Sequence, residues 1–243
     1  MTIIYRISKG GYAKQKIKNV NNAACLLNAW DVFRDCAWLI IADGITEPTS
    51  VWFDPYPIIK GLEKSHGATV QNVTVGHGAG TFNLALDYVL ELHDAEVVYF
   101  LESDYIHLPT ASAIIKEGIS MGADYVSGYD HPDKYLAPEL GGNPEVEGGG
   151  ELTRVMLSKS SHWKLTNSTT MTFAARVKTL REDEDILRKF TTGTYPRDYD
   201  MFLALRDKGR SLITPIPGVC THGETDWASP LTNWEAVILP YTS

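Results

Sequence analysis

Two carboxylates separated by one residue close an apolar run at Phe100-Leu101-Glu102-Ser103-Asp104. Side chains two apart on an extended chain share a face, so Glu102 and Asp104 can address one site across Ser103. Two hard oxygen donors suit Mg²⁺ or Mn²⁺ bridging a diphosphate, and the carboxyl ends of strands are where open α/β sheets bind ligands. Solvated acids at a polar strand end are the plain alternative. Asp43 closes a second apolar run, Leu39-Ile40-Ile41-Ala42-Asp43-Gly44, where it either accepts from a base or ribose or serves as a turn residue. Arg197-Asp198-Tyr199-Asp200 opens a helical segment that ends in Arg206 and the stop signal Gly209. Acids at a helix N-terminus are favoured by the dipole, and capping is the plain reading of Asp198 and Asp200. His222, in Thr221-His222-Gly223-Glu224, gains meaning as a ligand if another motif calls for a metal. Gly76-His77-Gly78-Ala79-Gly80 before a helix resembles a phosphate-cradling turn but fits neither GxGxxG nor GxxxxGK[ST]; tight strand-to-helix packing is the alternative, with His77 structural.

The elements that must position these residues alternate in period. Strands are expected over 2–7, 38–42, 69–75 and 97–101, with helices over 22–33 (capped by Asn21 or Asn22), 56–64, 81–93 and 110–121 between and after them. This is the βα alternation of a mostly parallel sheet. The second half breaks the rhythm. A strand at 125–129 leads into 132–150, which holds three Pro and five Gly and reads as a long loop. Antiparallel strands are expected at 154–158 and 169–174, helices at 182–190 and 198–208, and a last strand at 211–216. The expectation is one α/β, Rossmann-like domain over 1–243: a mostly parallel central sheet flanked by helices, with a small antiparallel region.

Composition narrows the partners. Across 243 residues, 22 Lys and Arg face 30 Asp and Glu, a formal charge of −8. That sign opposes binding to nucleic acid or anionic lipid through counterion release. A phosphate ligand would therefore need local cations or a metal. The apolar runs fall far short of the roughly 20 residues that span a bilayer, and Met-Thr-Ile-Ile-Tyr-Arg-Ile-Ser lacks the pattern of a secretory leader, so a cytoplasmic location is expected. Cys25, Cys36 and Cys220 are odd in number and share no metal spacing, which suggests reduced thiols.

Taken in order, the motifs resemble a glycosyltransferase of the GT-A fold, inverting and family-2-like. Asp43 resembles the family's early acid, which contacts the nucleoside. Glu102-Ser103-Asp104 resembles its DxD metal motif in an ExD form, and Arg197 to Gly209 its later acid-bearing helix. Tyr5-Arg6-Ile7-Ser8-Lys9-Gly10-Gly11-Tyr12 and His222-Gly223-Glu224 also look like small glycosyltransferase domains of large DNA viruses and phages, for which the host cytoplasm is the implied location. The resemblance implies that Asp104 and His222 bind Mn²⁺ or Mg²⁺, while Glu102, beside Ser103, meets ribose or metal-bound water. It implies Asp198 as the base, with Asp200 as its alternative. Arg6 and Lys14, with Lys9, Lys16 and Lys18, would add charge over the pyrophosphate. Residues 1–124 would bind a nucleotide sugar, UDP favoured, and residues 125–243 a glycan or other hydroxyl acceptor. Trp163 and Thr166-Asn167-Ser168-Thr169-Thr170 would hold the acceptor sugar, with Trp163 in the core as the alternative, and 132–150 would close as a lid. Where the family carries Glu before its base, this chain has Arg197, a cation expected to lower the pKa of Asp198. Sugar-1-phosphate nucleotidyl transfer and a catalytically decayed nucleotide-sugar or glycan-binding module are the alternative functions.

Overall fold

The computed structural model describes residues 1–9, 15–49 and 54–242. Lys14, a residue expected to bind the donor, lies outside them. The chain runs β1 (Thr2–Ser8), α1 (Asn22–Val32), β2 (Ala37–Asp43), α2 (Pro55–His66), β3 (Thr69–Val73), α3 (Gly78–Leu90), β4 (Val97–Glu102), β5 (Tyr105–His107), α4 (Ala111–Ser120) and β6 (Tyr125–Val126). It continues through β7 (Val155–Leu157), β8 (His162–Leu165), β9 (Phe173–Arg176), α5 (Val177–Glu182), α6 (Glu184–Lys189), α7 (Asp198–Asp207), β10 (Leu212–Ile216), β11 (Cys220–His222) and α8 (Trp234–Ile238).

Nine strands form one sheet in the order β3-β2-β1-β4-β9-β6-β10-β8-β7. The first four are mutually parallel, β9 runs against β4 and β6, and β6 and β10 are parallel again. Only β8 and β9 oppose the common direction, so the α/β, mostly parallel sheet is as expected. Alternation along the strands feeds two apolar layers. Ile3, Tyr5 and Ile7 of β1 join Leu26, Phe33 and Ile115 on one face, while Ile4 joins Phe82, Leu86 and Phe202 on the other. Burial on both faces is why β1, β2 and β4 read as unbroken apolar runs.

Local signals set most boundaries. Asn21 Oδ1 accepts from Ala24 N at 2.9 Å and starts α1, and Asp54 caps α2, which ends at Gly67 with φ +70°. His77 Nδ1 accepts from Gly80 N at 3.0 Å, so this histidine is an N-cap, as expected of a structural residue. A Cβ on Gly80 would sit 2.3 Å from Val75 Cγ1, and close packing explains the glycine.

The second half departs from expectation. The strand opposite 155–157 is β8, which follows after the four residues 158–161 and was not expected, and the expected strand at 169–174 is displaced to Phe173–Arg176, where it inserts between β4 and β6. The helix expected at 182–190 is α6, and an unexpected short helix, α5, precedes it; the two meet at Asp183, a fully buried acid that bonds Tyr125 and Arg210. Residues 132–150 contain two short 3-10 turns and are pinned by buried Lys134, Asn143 and Val146. Lys134 Nζ donates to Asn167 Oδ1 at 2.6 Å and Ser168 Oγ at 2.7 Å. That anchoring differs from a free lid.

Candidate metal and catalytic site

The parallel registers bring Ser8 level with Asp43 and Arg6 level with Glu102. The carboxyl ends of β1, β2 and β4 therefore share one edge. Immediately past β4 the chain reverses into β5, which pairs antiparallel with β11 in a separate two-stranded sheet, His222 opposite Tyr105. This small sheet carries His222 from the far end of the sequence to Asp104.

Asp104, His222 and Glu224 each offer a ligand atom, and these atoms lie within 4.8 Å of one another. His222 Nε2 is 2.9 Å from Asp104 Oδ2, and its Nδ1 is 3.4 Å from Glu224 Oε1. Two carboxylates and one imidazole fit a divalent cation. Burial raises the Asp104 pKa, but the His222 bond and the Lys16 charge outweigh it and hold the carboxyl far below its usual range. Burial likewise lowers His222, and its bond to Asp104 reverses the sign, leaving it raised. Glu224 did not emerge from the sequence as a ligand. The spacing argument used for Glu102 and Asp104 applies equally to His222 and Glu224 across Gly223, and that signal could have found it.

Glu102 is the last residue of β4, two positions before Asp104. Its Oε1 is 3.4 Å from Arg6 Nη2, and its Oε2 accepts from Thr172 Oγ1 at 3.3 Å. Ser103 Oγ donates to Asn22 Oδ1 at 3.3 Å. Arg6 is buried, and besides Glu102 it donates to the carbonyls of Gly78 at 3.1 Å and Met171 at 3.3 Å. The position expected to lie over a pyrophosphate thus braces Glu102 and the start of α3. Asp43 is buried as well, its two oxygens accepting from Val75 N at 2.7 Å and Gly76 N at 2.8 Å. It shapes the turn after β3, the structural side of the two readings its Asp-Gly context allowed.

Asp198 begins α7 and lines a cavity of about 90 Å³ with His131, Asp133, Lys134, Ser168, Thr169, Thr170 and Tyr199. Burial raises its pKa to about 6 against the opposing backbone bond from Tyr199, and the charge of Glu102 adds to the rise. Arg197 does not lower it. That guanidinium lies over the Phe190 ring, 4.9 Å from its centre, and pairs with Asp200 Oδ2 at 3.7 Å. The expectation of a depressed base is corrected for this reason. Asp200 is exposed.

Tyr105 joins the two regions. Its ring centre is 5.2 Å from that of His222, and its hydroxyl lies 2.6 Å from Thr170 Oγ1 in the wall of the Asp198 cavity. Trp163 is elsewhere. It is fully buried against Gly118 and Val126 and donates to Ser158 Oγ at 2.8 Å, so its ring offers no face to an acceptor sugar, and the core alternative stands in its place. Glycine at 118 is required there, because a Cβ would meet Trp163 Cη2 at 2.7 Å. A larger cavity, about 360 Å³, opens at the opposite, amino-terminal edge around Thr2, Ala37 and Thr69, away from these acids.

No family model and no curated protein matches the chain. Solved structures resemble it at low identity. A197 from STIV is 15% identical with a TM-score of 0.43, the match covering 91% of this chain and 85% of that one. A nucleotidyl transferase from Methanothermobacter thermautotroptrophicus is 10% identical with a TM-score of 0.44, over 88% and 85% respectively. Among the described residues no helix is long and apolar enough to cross a membrane. The three cysteines are free, Cys25 and Cys220 buried and Cys36 partly so.

Chemically, the site offers a cluster that could hold a cation and, across Tyr105, a carboxylate whose pKa is raised to about 6. The first can carry the charge of an anionic leaving group, and the second can take a proton from a hydroxyl.

Proposed function

We propose that this chain is a transferase of the glycosyltransferase class, moving a sugar from a nucleotide-sugar donor, UDP-sugar favoured, to a glycan or other hydroxyl acceptor with inversion. The observation that carries the reading is the pairing of the Asp104–His222–Glu224 cluster with Asp198, whose pKa is raised to about 6, on one edge of the sheet. The order of motifs, with Glu102-Ser103-Asp104 after the fourth core strand and Asp198 opening a late helix, supports it further.

Asp104, His222 and Glu224 would hold Mn²⁺ or Mg²⁺, which supplies electrostatic stabilisation of the diphosphate leaving group. Glu102, held in place by Arg6 and Thr172, would meet the donor together with Ser103. Asp198 accepts the proton of the acceptor hydroxyl at its free carboxylate oxygen as that hydroxyl attacks the anomeric carbon. A single base acting opposite the leaving group gives inversion. The cavity wall of His131, Asp133, Thr169 and Thr170 offers polar groups to an acceptor. Nucleotide-sugar donors and glycan acceptors are thus the proposed partners, and the net charge of −8 accords with a phosphate met through an ion.

Calorimetry with UDP tests the reading. Mn²⁺ is expected to raise UDP affinity in the wild type and to have no effect in Asp104→Ala. UDP affinity indifferent to metal in both proteins would overturn it.

A further inference from the structure

Lys16, expected to add charge over a pyrophosphate, instead touches a residue of the metal cluster. Its Nζ lies 2.7 Å from Asp104 Oδ2, the same oxygen that His222 Nε2 approaches at 2.9 Å. The backbone puts it there. Residue 16 bridges antiparallel to Glu224, Ile17 N donates to Gly223 O at 3.0 Å, and Thr225 N donates to Gln15 O at 3.0 Å. Gly223 N in turn donates to Asp104 O at 2.7 Å, so lysine, aspartate and both remaining donors sit on one hydrogen-bonded framework. The Lys16 side chain is 31% exposed and that of Asp104 28%, so solvent screens the pair and the flexible stem has room to swing out.

We propose that Lys16 is a built-in occupant of the cation position: its ammonium neutralises Asp104 while the divalent ion is away and must leave that oxygen when the ion binds. Two cations drawn to one carboxylate oxygen would repel each other, whereas either alone is favourable. Lys16 therefore competes with the metal and sets its affinity. The inference rests on the metal reading of the Asp104–His222–Glu224 cluster.

The test is calorimetric titration of Mn²⁺ alone, without nucleotide, into wild type, Lys16→Met and Lys16→Arg. Removing the charge is expected to tighten Mn²⁺ binding by about tenfold, the discounted effect of one nearby charge at a partly exposed site. Lys16→Arg, which keeps the charge, is expected to stay within about threefold of wild type on the same grounds. Equal Mn²⁺ affinity in wild type and Lys16→Met, or weaker binding in the latter, overturns the competition while leaving the metal site standing. No Mn²⁺ binding in any of the three overturns the competition and the metal reading together. An independent readout needs no variant. With lysine labelled at ¹³Cε, the Lys16 resonance of the wild type is expected to move along the Mg²⁺ saturation curve, and a resonance that stays fixed through saturation overturns the proposal.

Discussion

Asp198 differs from an ordinary surface acid by what surrounds it. Burial in the cavity wall and the nearby Glu102 charge raise its pKa to about 6, while Arg197 is turned away onto Phe190 and Asp200. A base must be deprotonated to act, so the kcat of sugar transfer is expected to rise about tenfold per pH unit up to about 6 and then level. A limb near pH 4 would contradict the assignment. Asp198→Asn is expected to keep donor binding while transfer falls by about two to four powers of ten, the usual span for losing a general base. Asp200→Asn should stay close to wild type, because that carboxylate is exposed and engaged with Arg197. Transfer assays on the two variants check both statements, and the reverse pattern would move the base to Asp200.

At the scale of elements, the β5–β11 pair does what no single residue can: it holds Asp104 and His222 together although 118 positions separate them. Gly223 is the tight point. A Cβ there would lie 2.6 Å from Val20 Cγ1 and 2.7 Å from Asp104 O, the latter a backbone atom that cannot step aside. Gly223→Ala is therefore expected to weaken Mn²⁺ binding at least as much as a conservative ligand change, with every ligand still present, and to lower the melting temperature by several degrees. Calorimetry beside a thermal melt measures both, and unchanged Mn²⁺ affinity would show that the small sheet does not tune the site. This pair was also the least legible part of the sequence. The βα alternation of the first half is read easily because β1, β2 and β4 are buried on both faces and their helices carry caps at Asn21, Asp54 and His77. β5, β8 and β11 are three to four residues long, too short for a period to show, and β5 and β11 find each other only across more than a hundred positions. The roles of Arg6, Asp43 and Trp163 were hidden for a related reason. Their type suits ligand chemistry, but burial assigned by the tertiary fold turns them inward to Glu102, to the Val75–Gly76 backbone and to Gly118.

For the whole molecule, the group that most directly couples acidity to stability is outside the site. His107, on β5, is fully buried, with Nε2 3.0 Å from Tyr99 Oη and its ring edge-on to Phe33. Desolvation alone lowers its pKa from 6.5 to about 3. The folded value lies below the unfolded one, so between them the unfolded chain binds more protons, and the stabilisation is complete above about pH 6.5 and is lost as the pH falls toward 3. The slope approaches about 1.4 kcal/mol per pH unit, or about 2 kcal/mol between pH 6.5 and 5. Two groups of the site have other windows. Asp198, raised to about 6, takes up its proton in the folded state first and so adds stability as the pH falls from 6 toward 3.8. His222, raised by Asp104, contributes fully below 6.5 and loses that contribution only as the pH rises through its folded value. The His107 share is therefore isolated by difference. Thermal melts of wild type and His107→Gln at pH 7 and pH 5 are expected to show the wild type losing about 4–8 °C more than the variant on acidification, the shift that about 2 kcal/mol gives a chain of this size. Parallel losses in the two proteins would mean that His107 is charged inside the fold, with solvent or an acceptor reaching its Nδ1.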